Sequence, residues 1–277
     1  MSRRRVVLGV CAIGVGTLLL AGCNGLRSAS KSFTDDTGVQ QKVSAVRIEN
    51  GSGAVHIRVG AAPNVHRTVY YLTDKPGSTS HFDGDTLVLE DCKQSNCSID
   101  YDVVLPAGAK VTGAVGSGDI DVAGMSEVGV QSGSGDVVVR DITGPVTVKT
   151  SSGNATLSGL DQSAVVDAHS GDVRLTNVKG DITVQSRSGT VIGTGLGGKA
   201  VVDSSSGDVQ LGLTAVRNAK VTAASGNIEV KVPRGDTYKV SAGTRSGDEH
   251  VNVANDPSGK FTLDLQAASG DVTVDYA

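Results

Sequence analysis

Nine positions between residues 119 and 271 of the 277-residue chain carry side chains suited to holding a hard cation or a proton. They are Asp119, Asp136, Asn154, Asp172, Thr190, Asp208, Asn227, Asp248 and Asp271. Each follows a Ser-Gly pair, and those pairs begin at Ser117, Ser134, Ser152, Ser170, Ser188, Ser206, Ser225, Ser246 and Ser269, in steps of 17, 18, 18, 18, 18, 19, 21 and 23 residues. Stacked along one edge, such a row is a candidate calcium rail, since calcium is held by several converging oxygens. The order of residues argues otherwise. From Asp136 to Asp208 neutral residues alternate with Asp, which spaces the charges by roughly 10 Å, about the screening length at physiological salt. The nine-residue Gly-Gly-x-Gly-x-Asp pattern of calcium-binding β-rolls is also missing. The row therefore reads as turn residues, each satisfying its own backbone, and no metal or other cofactor is expected.

Catalysis has no better footing. The chain lacks a Gly-x-Ser-x-Gly elbow, a His-Glu-x-x-His pair and a phosphate loop, and a nucleophile needs one base beside it, whereas His56, His66, His81, His169 and His250 are scattered. Asp141, Asp161, Asp167, Asp181 and Asp203 would form a polysaccharide-cleaving face if all pointed outward together, but outward polar residues of a sheet are ordinarily just solvated. We expect a protein that is not an enzyme. Aromatic residues make up 3% of the chain and Trp is absent. Tyr70, Tyr71, His81 and Phe82 form the only aromatic neighbourhood and are the candidate binding surface; their competing role is to plug the open end of the fold.

The cysteines and the first residues bear on location. Arg3, Arg4 and Arg5 precede an apolar run from Val6 to Leu20, the layout of a secretory signal. Leu20-Ala21-Gly22-Cys23 resembles the lipobox of bacterial lipoproteins, which implies cleavage before Cys23 and a lipid on that residue; an ordinary signal peptide or an uncleaved anchor, with Cys23 incidental, is the alternative. The expected destination is extracytoplasmic, anchored to the cell membrane. Loss of residues 1–22 takes 25 basic residues to 22 against 29 acidic ones, a net charge of −7. With no basic block, nucleic acid is excluded as a partner. Cys92 and Cys97 are expected to form a disulfide in the exported chain, two free thiols being the other possibility.

The elements that must position these residues follow from period. Residues 23–42 are polar and without repeat, a flexible linker behind the anchor. From Val43 apolar residues alternate, as strands require, with Ser52-Gly53 an early member of the later array. Residues 71–102 are turn-rich and irregular around the cysteine loop. In the array Val137, Val139, Ile142, Val146 and Val148 of one unit lie over Ala155, Leu157, Leu160, Ala164 and Val166 of the next, then over Val173, Leu175, Val178, Ile182 and Val184. A short fixed period means that each unit buries its apolar face only by stacking on its neighbours. The expected fold is all-β, a single-stranded parallel β-helix or β-solenoid with coils of about 18 residues and irregular N-terminal coils. It spans 43–277, with regular repeats over 117–277, and longer loops fall on the last coils after Pro233.

Ile99 to Pro106, the following Ala107-Gly108-Ala109-Lys110-Val111 and the run of Ser-Gly-Asp-Val units resemble the bacterial "putative adhesin" domain family over about residues 43–277. The resemblance implies a β-helical, exported or membrane-attached domain and brings no catalytic residues with it. The expected role is that of a membrane-anchored lipoprotein acting as an adhesin-like or envelope scaffold and binding module, with an envelope protein or polysaccharide as partner. A cell-envelope polysaccharide enzyme and an accessory partner of an envelope-stress sensor are the rival readings.

Overall fold

In strand Val137–Ile142 the residues Val137, Val139 and Ile142 are buried while Arg140 is exposed, and the same alternation runs through Val173–Val178 and Ile182–Ser188. One face of each strand is apolar, so each must be covered by another layer. The computed structural model, which describes residues 31–277, has 25 strands and no helix among them, arranged in a 13-stranded and a 12-stranded sheet. The chain alternates between the sheets. Thus Val146–Ser152, Ala164–Ser170, Ile182–Ser188 and Ala200–Ser206 lie side by side in the 12-stranded sheet, while Ala155–Leu160, Val173–Val178 and Val191–Leu196 do so in the other. All these pairings are parallel, with Cα partners such as Val146↔Ala164↔Ile182↔Ala200. The apolar columns read from the sequence face one another between the two sheets as a single core of Val, Ile, Leu and Ala. Burying such a side chain stabilises by about 1.5–3 kcal/mol, and stacking supplies this burial coil by coil.

The chain passes from the 12-stranded to the 13-stranded sheet at each Ser-Gly. Gly153 and Gly171 have φ of 125° and 118° there, a region that side chains disfavour. A Cβ on Gly171 would also collide with the carbonyl oxygen of Gly153 in the coil beneath. The glycine is needed twice, for the turn and for the close approach of one backbone to the next. Small inward residues two before the Ser, Thr150, Ala168, Ser186 and Ser204, are buried in this corner.

Both ends depart from simple succession. Ser52 pairs with Ser117, so the early Ser-Gly coil stacks directly on the regular array, and the coil of Thr86–Glu90 and Cys97–Leu105 packs on its outer side. At the other end Ala219–Ser225 pairs with Phe261–Ala267, and Tyr238–Thr244 lies beyond it. The last coil is therefore inserted beneath the one before it, and the corner at Ser246 is outermost. The reason is apolar content. Leu263, Leu265, Val272 and Val274 of the last coil are fully buried, whereas Glu249–Val251 is exposed along its length.

The linker reading is corrected over residues 31–38. Lys31–Gly38 is a strand, antiparallel to Asn64–Tyr71 from Lys31↔Tyr71 to Gly38↔Asn64, at the edge of the 13-stranded sheet. Its sequence lacks apolar alternation because it is held by backbone bonds and polar side chains. The signal segment 1–22 and Cys23 lie outside the described residues.

Candidate functional site

The corner row comes together as the spacing implies, but its bonding differs from the expectation. Asp136 Oδ1 accepts the backbone N–H of Asn154 at 2.8 Å, Asn154 Oδ1 that of Asp172 at 2.9 Å, and Asp172 Oδ1 that of Thr190 at 2.9 Å. The same bond runs from Asp136 N to Asp119 and from Asn227 N to Asp208. Each of these Asp and Asn side chains thus satisfies the backbone of the next coil rather than its own. At the C-terminal end the order follows the inserted coil: Asp271 N donates to Asn227, and Asp248 N donates to Asp271. The succession Asn227, Asp248, Asp271 read from the sequence is corrected accordingly. Asp and Asn are interchangeable in the row because a carboxylate and an amide both present the acceptor oxygen. Among the described residues no group of three or more His, Cys, Asp or Glu gathers as metal ligands.

A second column lies at the far end of the strands. Asp141 and Asn177 have φ of 56° and 55°, and Gly159 and Gly195 occupy the matching places in the coils between and beyond them, also at positive φ. A Cβ on Gly159 would strike Asp141 Oδ1, and one on Gly195 would strike Asn177 Oδ1. The alternation of Asp or Asn with Gly is steric: each side chain lies over the glycine of the next coil. Asp141 is thereby committed to packing, Asp161 is paired with Lys179 Nζ at 2.7 Å, and Asp181 Oδ1 accepts the Lys199 N–H at 2.8 Å. Of the five acids that would have formed a cleaving face, only Asp167 and Asp203 share an outer column, with Gln185 between them in register.

The aromatic neighbourhood is divided. Tyr70 and Tyr71 lie in the 13-stranded sheet opposite Ser98 and Cys97, while His81 and Phe82 lie in the 12-stranded sheet opposite Val88 and Leu87. Tyr70 is 40% exposed and borders a shallow depression of about 500 Å³ with Tyr71, Asn96 and Ser98. Phe82 packs on the core, as does Tyr71, which meets Phe33 edge-on at 5.9 Å. The four residues do not form one platform. Cys92 and Cys97 are joined by a disulfide with Cα atoms 6.0 Å apart, closing a turn in which Lys93 and Asn96 have positive φ.

What the sequence did not disclose is the polar network that fixes this end. Arg67, only 8% exposed, makes two bonds to the Asp35 carboxylate, at 2.6 and 2.7 Å, and donates to Gly77 O and Thr79 Oγ1. The buried Tyr101 hydroxyl donates toward the Thr79 and Glu90 carbonyls at 2.8 and 2.7 Å and accepts from Thr79 Oγ1. Hydrogen bonding to Arg67 holds the Asp35 carboxyl below its ordinary range, and burial pushes the Tyr101 phenol up to about 12. The network ties the first strand, the irregular insert and the core together. Four of the five histidines, His56, His66, His81 and His169, sit beside carboxylates, His66 at 3.0 Å from Asp36 Oδ1.

With this geometry in place, the model of one protein family, Toastrack DUF4097, matches residues 43–274. The chain belongs to that family. This Toastrack chain is also similar to solved structures. It matches a putative adhesin from Bacteroides fragilis NCTC 9343 at 12% identity and TM-score 0.40, covering 91% of this chain and 100% of that one. For a putative adhesin from Parabacteroides distasonis ATCC 8503 the values are 13% and 0.40, over 90% and 98% of the two chains. A putative cell adhesion protein from Clostridium sporogenes ATCC 15579 is similar at 14% and 0.25, over 89% and 100%. No curated protein matches the chain.

Proposed function

We propose that this Toastrack chain is a lipoprotein anchored to the outer face of the cell membrane through Cys23, and that its solenoid is a non-catalytic binding or scaffold module of the envelope. The observation that carries the reading is the corner ladder. The side chains best suited to chemistry are repeated along the array, and seven of the nine accept a backbone N–H of the neighbouring coil. A nucleophile or ligand set is a singular arrangement, and a repeated one that holds coils together is architecture. The unit of the module is a coil of about 18 residues, a reading supported by Cα partners eighteen apart from Val146↔Ala164 through Ser188↔Ser206. The lipobox segment and the net charge of −7 after its removal support export.

In cells, wild-type protein should fractionate with membranes and label with palmitate, and Cys23→Ala or globomycin should abolish both. Unchanged labelling would contradict the anchor. Purified protein incubated with cell-wall material should release no sugars, and release would favour the polysaccharide enzyme instead. Crosslinking in intact cells should capture an envelope partner.

A further inference from the structure

The outer face of the 12-stranded sheet carries a groove of about 820 Å³ near the Ser-Gly corners. It crosses six neighbouring strands in the order Ala164–Ser170, Ile182–Ser188, Ala200–Ser206, Ala219–Ser225, Phe261–Ala267 and Tyr238–Thr244. Its floor is made of the residues just before each corner, Ser205, Ala224 and Ala268, all small. Arg187 stands at one end of this floor and Arg245 at the other, both exposed and, among the described residues, in no ion pair. Four strand intervals separate them, roughly 19 Å. Along one wall run Asp167, Gln185, Asp203, Thr222 and Gln266 from successive strands. Gln266 is fixed in place, its side chain lying across Gly243 with Nε2 directed at Ser241 O.

We propose that this groove binds a linear acidic glycan lying along the solenoid axis. Its carboxylates fall on Arg187 and Arg245, and its hydroxyls meet Asp203, Gln185 and Thr222. The inference rests on the binding-module reading and names its ligand. Guanidinium groups in forked contact with carboxylates supply the charge-assisted bonds. Asp203 is an acceptor only, so it calls for a donor, which a sugar hydroxyl is and an acidic peptide side chain is not. A peptide would also need a free strand edge or apolar anchors; the inner strands here are paired on both sides from Ala200–Ser206 to Phe261–Ala267, and the edge strand Tyr238–Thr244 is capped by Asn255 and Asp256 at Val240 and Tyr238. Arg187 and Arg245 stand at the two ends of the floor, with the Asp203 carboxylate along the wall between them and that of Asp167 one strand beyond Arg187, so an acidic chain places its charges at the ends and its hydroxyls along the wall.

The test is calorimetry on the full-length protein in detergent at low salt, with galacturonate oligomers of increasing length as the probe. Binding should strengthen once an oligomer is long enough to reach both arginines. Arg187→Gln and Arg245→Gln should each weaken it about tenfold, while Arg174→Gln, an exposed change on the other sheet, should not. Arg187→Lys should fall between wild type and Arg187→Gln. Carboxyl-reduced oligomers should bind more weakly. Absence of binding, equal loss in Arg174→Gln, or polyglutamate binding as well with the same arginine dependence would overturn the proposal. Shortening of the oligomers during titration would instead overturn the non-catalytic reading and leave the site standing.

Discussion

Asp136 Oδ1 and the Asn154 N–H, 2.8 Å apart, are a fair sample of what holds one coil to the next. Asp136→Ala leaves that N–H without its partner at the corner and should lower stability by about 1 kcal/mol, read from the midpoint of urea unfolding. The row also has a gap. The Thr190 N–H donates to Asp172 Oδ1, but the Thr190 side chain accepts no bond from the Asp208 N–H as its neighbours do from theirs. Thr190→Asn should close the gap and raise the midpoint by a similar amount, about 1 kcal/mol; a fall would show that the corner cannot seat the amide. The period made the positions of the row legible, and the need for glycine before each was legible from turn chemistry. The bond partner was not, because a side chain that reaches forward one coil looks in the sequence like one that closes its own turn.

Elements at the two ends were the least legible. Lys31–Gly38 reads as a tether because Phe33 is its one large apolar residue, yet it is a strand held by pairing with Asn64–Tyr71 and by the Asp35–Arg67 bonds. Asp35 titrates below its ordinary range in the folded chain, so its contribution is present at neutral pH and is lost as pH falls through that lowered value. The protection of residues 31–38 against hydrogen exchange, relative to the intrinsic rate at each pH, should therefore fall in acid before that of the array, and in Asp35→Asn it should be low at neutral pH as well. At the opposite end the outermost strand Tyr238–Thr244 is covered by the loop after it. Asp256 N donates to Tyr238 O, and the Asn255 side chain bonds both the N–H and the carbonyl of Val240. Sequence length alone marked this loop as an insertion, and its role as an edge cap emerges only with the strand order. Removing the cap by Asn255→Ala should expose a pairing edge and give concentration-dependent association in sedimentation velocity, where wild type stays at one mass.

For the whole molecule, composition and period were enough for the class: an all-β stack with a thin aliphatic core and polar outer columns. The insertion of the last coil beneath its predecessor was hidden, since the spacing of the Ser-Gly pairs says how many corners exist and not which corner touches which. The central claim is that the corner row is the scaffold of the array and not a site for a cation. Its most direct test is thermal unfolding of wild type and Asp136→Asn across a calcium titration. Asparagine keeps the acceptor oxygen and loses the charge, so the account predicts equal melting temperatures for the two proteins and no rise with calcium in either. A calcium-dependent rise in wild type that Asp136→Asn loses would contradict it.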